Sequence, residues 1–171
     1  MIRLKEPSER YLDSYREAYR EYQEHLGTPC FFGNPDQEEL FFNFDHYRYE
    51  RNLPPNRVGS SYFWLVDEEE NKFIGEISIR HRLNEDLKRY GGHIGYVVRF
   101  SEWGKGYGTM MLRMALEEAR KMGLSEVLIT CDDDNTASAR VMEHNGLTLV
   151  DKIENTVGGK TVLTRRYRRR L

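Results

Sequence analysis

The sequence predicts one mixed α/β domain in which a mostly antiparallel sheet carries helices on both faces. Three observations lead there. The stretch from His93 to Cys131 reads as strand, long helix, strand, a crossover unit whose two strands are expected to be parallel neighbours. On either side of it lies a hairpin, one closed by the acidic turn "DEEENK" and the other by "NTVGGK", and hairpins pair antiparallel. No repeat, low-complexity run or linker divides the 171 residues, so residues 1–171 are expected to form a single domain, long enough to bury its own core.

The elements follow in the order β-α-α-β-β-β-α-β-α-β-β. Ser8–Leu26 reads as a helix because Tyr11, Tyr15, Ala18, Tyr22 and Leu26 recur at three- and four-residue steps, with Gly27 and Pro29 beyond the end. Residues 36–51 form a second helix with Leu40, Phe44 and Tyr47 on one face, and "NLPPNRVGSS" breaks it. Tyr62–Val66 and Phe73–Arg82 make the first hairpin, and "RLNEDLKRYGG" reads as a loop before the strand His93–Arg99. Thr109–Met122 is a helix striped by Met111, Leu112, Ala115, Ala119 and Met122, and Gly123 stops it. "EVLITC" is a strand apolar on both faces, 135–145 a short helix, and Leu147–Ile153 with Lys160–Tyr167 the last hairpin.

Charge and composition narrow the function classes. A net charge of −2 excludes a generally basic nucleic-acid-binding surface, and the arginines of "TRRYRRRL" read as the outward positions of a final strand. No apolar run approaches the ~20 residues that span a bilayer, and "MIRLKEPSERYLDSY" lacks the apolar core of a signal peptide. Cys30 and Cys131 lie far apart without metal-ligand spacing, so both are read as free thiols of a cytoplasmic protein, with no metal expected.

The stretch "VVRFSEWGKGYGTMMLRMALEEARKMG" carries the chemistry. Gly104, Gly106 and Gly108 fall between a strand and a helix. A helix N-terminus offers free N–H groups and a partial positive charge, and glycines let the backbone approach a ligand closely. That combination suits a phosphate or pyrophosphate. It is not a P-loop, since Lys105 lies between glycines and no Lys precedes Thr109; nor is it the dinucleotide fingerprint, since the spacing is G-x-G-x-G and comes late in the chain.

This loop resembles motif A of the GNAT superfamily of N-acetyltransferases, Arg/Gln-x-x-Gly-x-Gly/Ala, with Trp103 in the first position and Gly106 and Gly108 as its glycines. "NTASARVMEHNGL" resembles the family's second block: Asn135, Ser138, Arg140 and Gly146 match, Leu147 replaces an aromatic residue, and Met142 stands where many members carry the tyrosine that protonates the thiolate. The resemblance implies a sheet whose strands His93–Arg99 and Glu126–Cys131 form a splayed parallel pair. It implies acetyl-CoA as cosubstrate, held by Val97, Val98, Arg99, Gly104, Lys105, Gly106, Tyr107, Gly108, Thr109, Asn135 and Ser138. Gly95 would open the gap through a β-bulge.

Acetyl transfer to an amine needs a base for the ammonium and donors for the developing oxyanion. His93 is the first candidate base, since an imidazole titrates near ~6.5. Glu76 in "GEISIRH" is the second, and His81 and Asp132 compete with them. Arg80, His81, Asn84 and Asp132 are the candidate acceptor-binding residues, and Cys131, on an apolar strand, is read as an inert thiol. The function expected is acetyl-CoA-dependent N-acetyl transfer to a small-molecule or peptide amine, with no membrane and no nucleic acid as partner and a homodimer left open. The alternative is a non-catalytic CoA-binding regulatory or assembly module, favoured by Met142 and Trp103.

Overall fold

The computed structural model describes residues 1–171. Its seven strands fall into two antiparallel sheets that meet at one gap. β1 (Ile2–Lys5), β2 (Ser60–Asp67), β3 (Lys72–Arg80) and β4 (Ile94–Val98) pair in that order; β5 (Glu126–Asp132), β6 (Thr148–Val157) and β7 (Lys160–Arg170) pair as β5-β7-β6. The five α-helices are α1 (Leu12–Leu26), α2 (Leu40–Arg48), α3 (Glu85–Arg89), α4 (Tyr107–Lys121) and α5 (Thr136–His144). None is long and apolar enough to cross a membrane.

Both faces of the first sheet are covered. The predicted stripe of α4, Met111, Leu112, Ala115 and Ala119, is buried, and it forms one cluster with Ile77, Ile79, Ile94, Ile129 and Tyr167. Met122, expected in that stripe, lies at the helix end and is exposed. The opposite face holds an aromatic cluster in which Tyr15 of α1 stacks on Trp64 at 4.6 Å and meets Phe73 edge-on at 4.9 Å. Each such ring contributes ~2–3 kcal/mol by burial, so this face is a firm base for α1.

Local departures have local causes. α2 is shorter than the expected 36–51, starting only at Leu40. The "RLNEDLKRYGG" loop contains α3, because the Asn84 side chain caps it by accepting from the Leu87 N–H at 2.9 Å. The "NTVGGK" turn tightens to Gly158–Gly159, both with positive φ, which extends β6 and β7 into one long hairpin. The terminal arginines lie on β7 as expected, and Arg165 and Arg166 pair with Asp133 and Asp151 at 2.7 and 2.6 Å.

The crossover strands β4 and β5 are neighbours without a ladder. The chain instead touches β5 through Gly91–His93, which runs antiparallel to Leu128–Thr130 around one isolated bridge, Gly92 to Ile129. Gly92 has φ +62°, and a Cβ there would lie 2.2 Å from the Leu128 carbonyl oxygen, so only glycine fits this join. No bulge occurs at Gly95: β3 and β4 stay in register from Ile79–Ile94 to Gly75–Val98. β4 is thus regular where the gap opens beyond the Gly91–His93 join, and the missing Gly95 side chain makes room for Phe32.

Candidate active site

The alternation of β4 sorts its residues. Ile94, Tyr96 and Val98 join the cluster under α4, while Gly95 faces Phe32 and Arg99 reaches α1. A groove of about 720 Å³ runs along β4 from the end of α1, at Tyr22 and Leu26, to the start of α4 and across to α5. Val97, Val98, Gly104, Gly106, Tyr107, Gly108 and Thr109 line it, as do Asn135 and Ser138.

Gly106 is the N-cap of α4 with φ +83°, and no side chain caps the helix. The first N–H groups of α4 are therefore available to a ligand, at the positive end of the helix. Gly104 has φ +77°, and a Cβ on either glycine would meet nothing within 4 Å. Both are demanded by backbone conformation, and both face open space. Gly108 differs, since a Cβ there would press on Val141 at 3.2 Å, where α5 closes the groove. The loop, the uncapped helix and the apolar strand wall thus fit an anionic, elongated ligand such as the pyrophosphate and pantetheine of CoA.

Two of the expected cofactor contacts lie elsewhere. Arg99 is buried against α1, where its guanidinium donates to Glu21 at 2.6 and 2.8 Å and to Glu17 at 3.1 Å. Lys105 pairs with Glu102 at 3.0 Å, and Lys72 pairs with the same carboxylate at 2.6 Å. That carboxylate is held below its usual range by the two ammonium groups, although its burial pulls the other way. Beyond the end of β4 the Arg99 side chain turns onto its two carboxylates on α1, and Glu102, three residues back, engages Lys105. Trp103 fills the first position of the loop motif by another route. Its indole N–H donates to the Val98 carbonyl at 2.9 Å, beside the Tyr22 hydroxyl, which donates to the same oxygen at 2.6 Å.

At Tyr96 and Ser138 the groove meets a smaller cavity of about 250 Å³ in the gap between β4 and β5. The Tyr96 hydroxyl and Ser138 Oγ are 2.6 Å apart, and burial pushes the Tyr96 phenol up to about 12. Asp132, at the end of β5, lines this cavity and has a buried Oδ1 with no hydrogen-bond partner. Arg80 lines it too, and leads into a third cavity of about 540 Å³ walled by Phe32, Tyr47, Tyr62 and Asn84. The three cavities thus adjoin through shared lining residues, with the glycine loop at one end of the row and an aromatic chamber at the other. Tyr96 and the chamber's Arg57 carried no motif in the sequence. Tyr96 could have been found only by noting that it shares a strand face with Val98.

The two candidate bases are not in that row. His93 is buried at the join of the sheets, where its Nδ1 accepts the Leu128 N–H at 2.9 Å. Burial holds this imidazole below its ordinary value, so it is neutral at pH 7. Glu76 is fully buried on the α1 face. It accepts from the Phe32 N–H and from Trp64 Nε1 at 3.2 Å, and burial pushes its carboxyl up to about 8 against those hydrogen bonds. His81 bonds Ser61 at 3.0 Å and lies beside Glu50. Asn84 does line the chamber, but its amide is engaged in capping α3 and in donating to Asn56 at 2.9 Å. Cys131 is buried and its thiol is pushed up to about 11 by burial, so it is no nucleophile.

Known proteins share this architecture. RimL, a ribosomal L7/L12 α-N-protein acetyltransferase in complex with coenzyme A, superposes with a TM-score of 0.71 at 18% identity, over 99% of this chain and 94% of its own. YncA from Salmonella typhimurium, with its cofactor acetyl-CoA, gives 0.66 at 18%, over 99% and 93%. Mutant forms of the spermidine/spermine N-acetyltransferase SpeG from Vibrio cholerae give 0.66 at 14%, over 99% and 95%. A model of the acetyltransferase (GNAT) domain family matches residues 2–148, from β1 through the glycine loop to the end of the second block, and the chain therefore belongs to the GNAT family of N-acetyltransferases.

Proposed function

We propose that this enzyme transfers the acetyl group of acetyl-CoA to a primary amine that enters from the aromatic chamber. The observation that carries this reading is the row of adjoining cavities from the uncapped α4 N-terminus, past Tyr96, to Asp132 and Arg80. Acetyl-CoA, when bound, supplies an acyl group activated as a thioester. The α4 N–H groups and the positive-φ glycines would hold its pyrophosphate, and the Val97–Val98 edge of β4 its pantetheine arm. Backbone N–H groups on this splayed strand would steady the charge on the carbonyl oxygen.

Asp132 is best placed to receive the ammonium and to accept its proton on the way to solvent, since it alone of the four candidate bases lines the gap. Tyr96, paired with Ser138 where the groove meets the gap, would return a proton to the departing sulfur. It would take the role that Met142, fully buried under α4, cannot fill. His93 and Glu76 then serve as positioning residues, one joining the sheets and the other fixing the Phe32 segment. The test is CoA release from acetyl-CoA over a panel of amines. Amine-dependent release upholds the reading; tight CoA binding with no release for any amine would leave a binding module.

A further inference from the structure

Two arginines face the acceptor chamber without an acidic partner. Arg80 is half-buried at the end of β3, where it lines both the chamber and the gap. Its Nη1 donates to the carbonyls of Gly92 at 2.9 Å and Gly91 at 3.3 Å, which aims the side chain but leaves its charge uncompensated. Its charge is felt by the Tyr62 phenol, by His93 and by the guanidinium of Arg57, which also lines the chamber. Glu50 is taken by Arg82 and Glu85 by Lys88, while Asp86, also on the chamber wall, is exposed and pairs with neither arginine.

The other poorly exposed arginines behave differently. Arg48, Arg99, Arg165 and Arg166 each pair with a carboxylate. A partly desolvated guanidinium without a counter-charge is costly, and burial lowers the Arg80 pKa as that cost requires. Such a group is retained at little net cost where a ligand brings the anion.

We propose that the acceptor amine carries an oxyanion, a carboxylate or a phosphorus oxyacid, that docks on Arg80 with help from Arg57. This rests on the acetyl-transfer reading. Arg80 and Asp132 line the same 250 Å³ gap yet form no ion pair, so one small molecule carrying both an amine and an oxyanion can engage the two side chains together. Phe32, Tyr47 and Tyr62 would receive an apolar or aromatic side chain on the same small molecule. A polyamine would instead set its second ammonium against two guanidinium groups.

The experiment measures CoA release from acetyl-CoA by the full chain with matched acceptors: L-phenylalanine and L-methionine, their carboxamides, the corresponding 1-aminoalkylphosphonates, spermidine and a neutral tetrapeptide. The oxyanion site predicts kcat/KM about 10- to 100-fold higher for acids than for carboxamides, mostly through KM. The phosphonates show which oxyanion is preferred. Arg80→Met should erase the preference and Arg80→Lys restore part of it. Arg57→Met, at an exposed position, should weaken it without unfolding. Equal use of carboxamides, or preference for spermidine or the tetrapeptide, overturns the proposal. If no amine releases CoA, acetyl transfer fails and calorimetry decides the site separately. N-acetyl-L-phenylalanine binding to the CoA complex, absent for its amide and lost in Arg57→Met, upholds it; equal or no binding of the two overturns it.

Discussion

The two sides of β4 are built from one strand yet behave as opposites. Toward α1 the charged groups pair inside the protein: Arg99 on Glu21 and Glu17, Glu76 on Trp64 and Phe32. Toward α4 and α5 groups are left free: an uncapped helix, glycines at positive φ, the Asp132 Oδ1. A polar residue next to a binding site is therefore not a site residue by proximality in sequence. Val98 and Arg99 are adjacent, and only Val98 lines the groove.

Changes on the open side should alter function and spare the fold. Asp132→Asn is expected to have the largest effect, lowering kcat/KM by about 10²-fold while acetyl-CoA affinity holds. A full-rate Asp132→Asn enzyme would remove this residue from the chemistry. Tyr96→Phe keeps the ring and loses the hydroxyl, so kcat should fall about 10-fold. Unaltered kcat would show that the thiolate leaves without help from Tyr96. Gly106→Val places a β-branched residue at φ +83° in the loop, and should weaken CoA binding at least ~10-fold, or ~1.4 kcal/mol. Calorimetry on folded protein with unchanged Kd would refute the loop as the anion site.

Changes on the sealed side should do the reverse. Arg99→Met leaves Glu21 half-buried without its partner and is expected to cost about 2 kcal/mol of stability, with the Kd for CoA unmoved. A weakened Kd at unchanged stability would return Arg99 to the cofactor site. The smallest effect concerns pH. Glu76 has its folded pKa raised to about 8 from 4.5, so the folded state binds the extra proton between those values. That contribution is complete below the unfolded pKa and is lost as pH rises through about 8. Glu76→Gln cannot titrate, and its stability from pH 5 to 9 should be flatter than that of the parent. Parallel profiles would mean that Glu76 stays ionised in the fold.

Periodicity and turn chemistry made the elements legible. Three- and four-residue spacing marked α1 and α4, and glycine spacing between a strand and a helix marked the loop, because these features act over a few residues and need no partner from afar. The same local character made Gly106 readable by conformation, while Asn135, matched through the family's second block, turns out to cap α5. Tertiary structure decided the rest. His93 looked free in the sequence, but the Leu128 N–H, 35 residues away, occupies its Nδ1. Glu76 looked accessible on its strand, but α1 and the Phe32 segment close over it. Arg80 was a candidate acceptor residue in the sequence, but only the packing shows that no carboxylate pairs with it. Charge compensation and burial are sums over neighbours distant in the chain, so a sequence names the groups while only the packed structure decides which of them remain unpaired and open to a ligand.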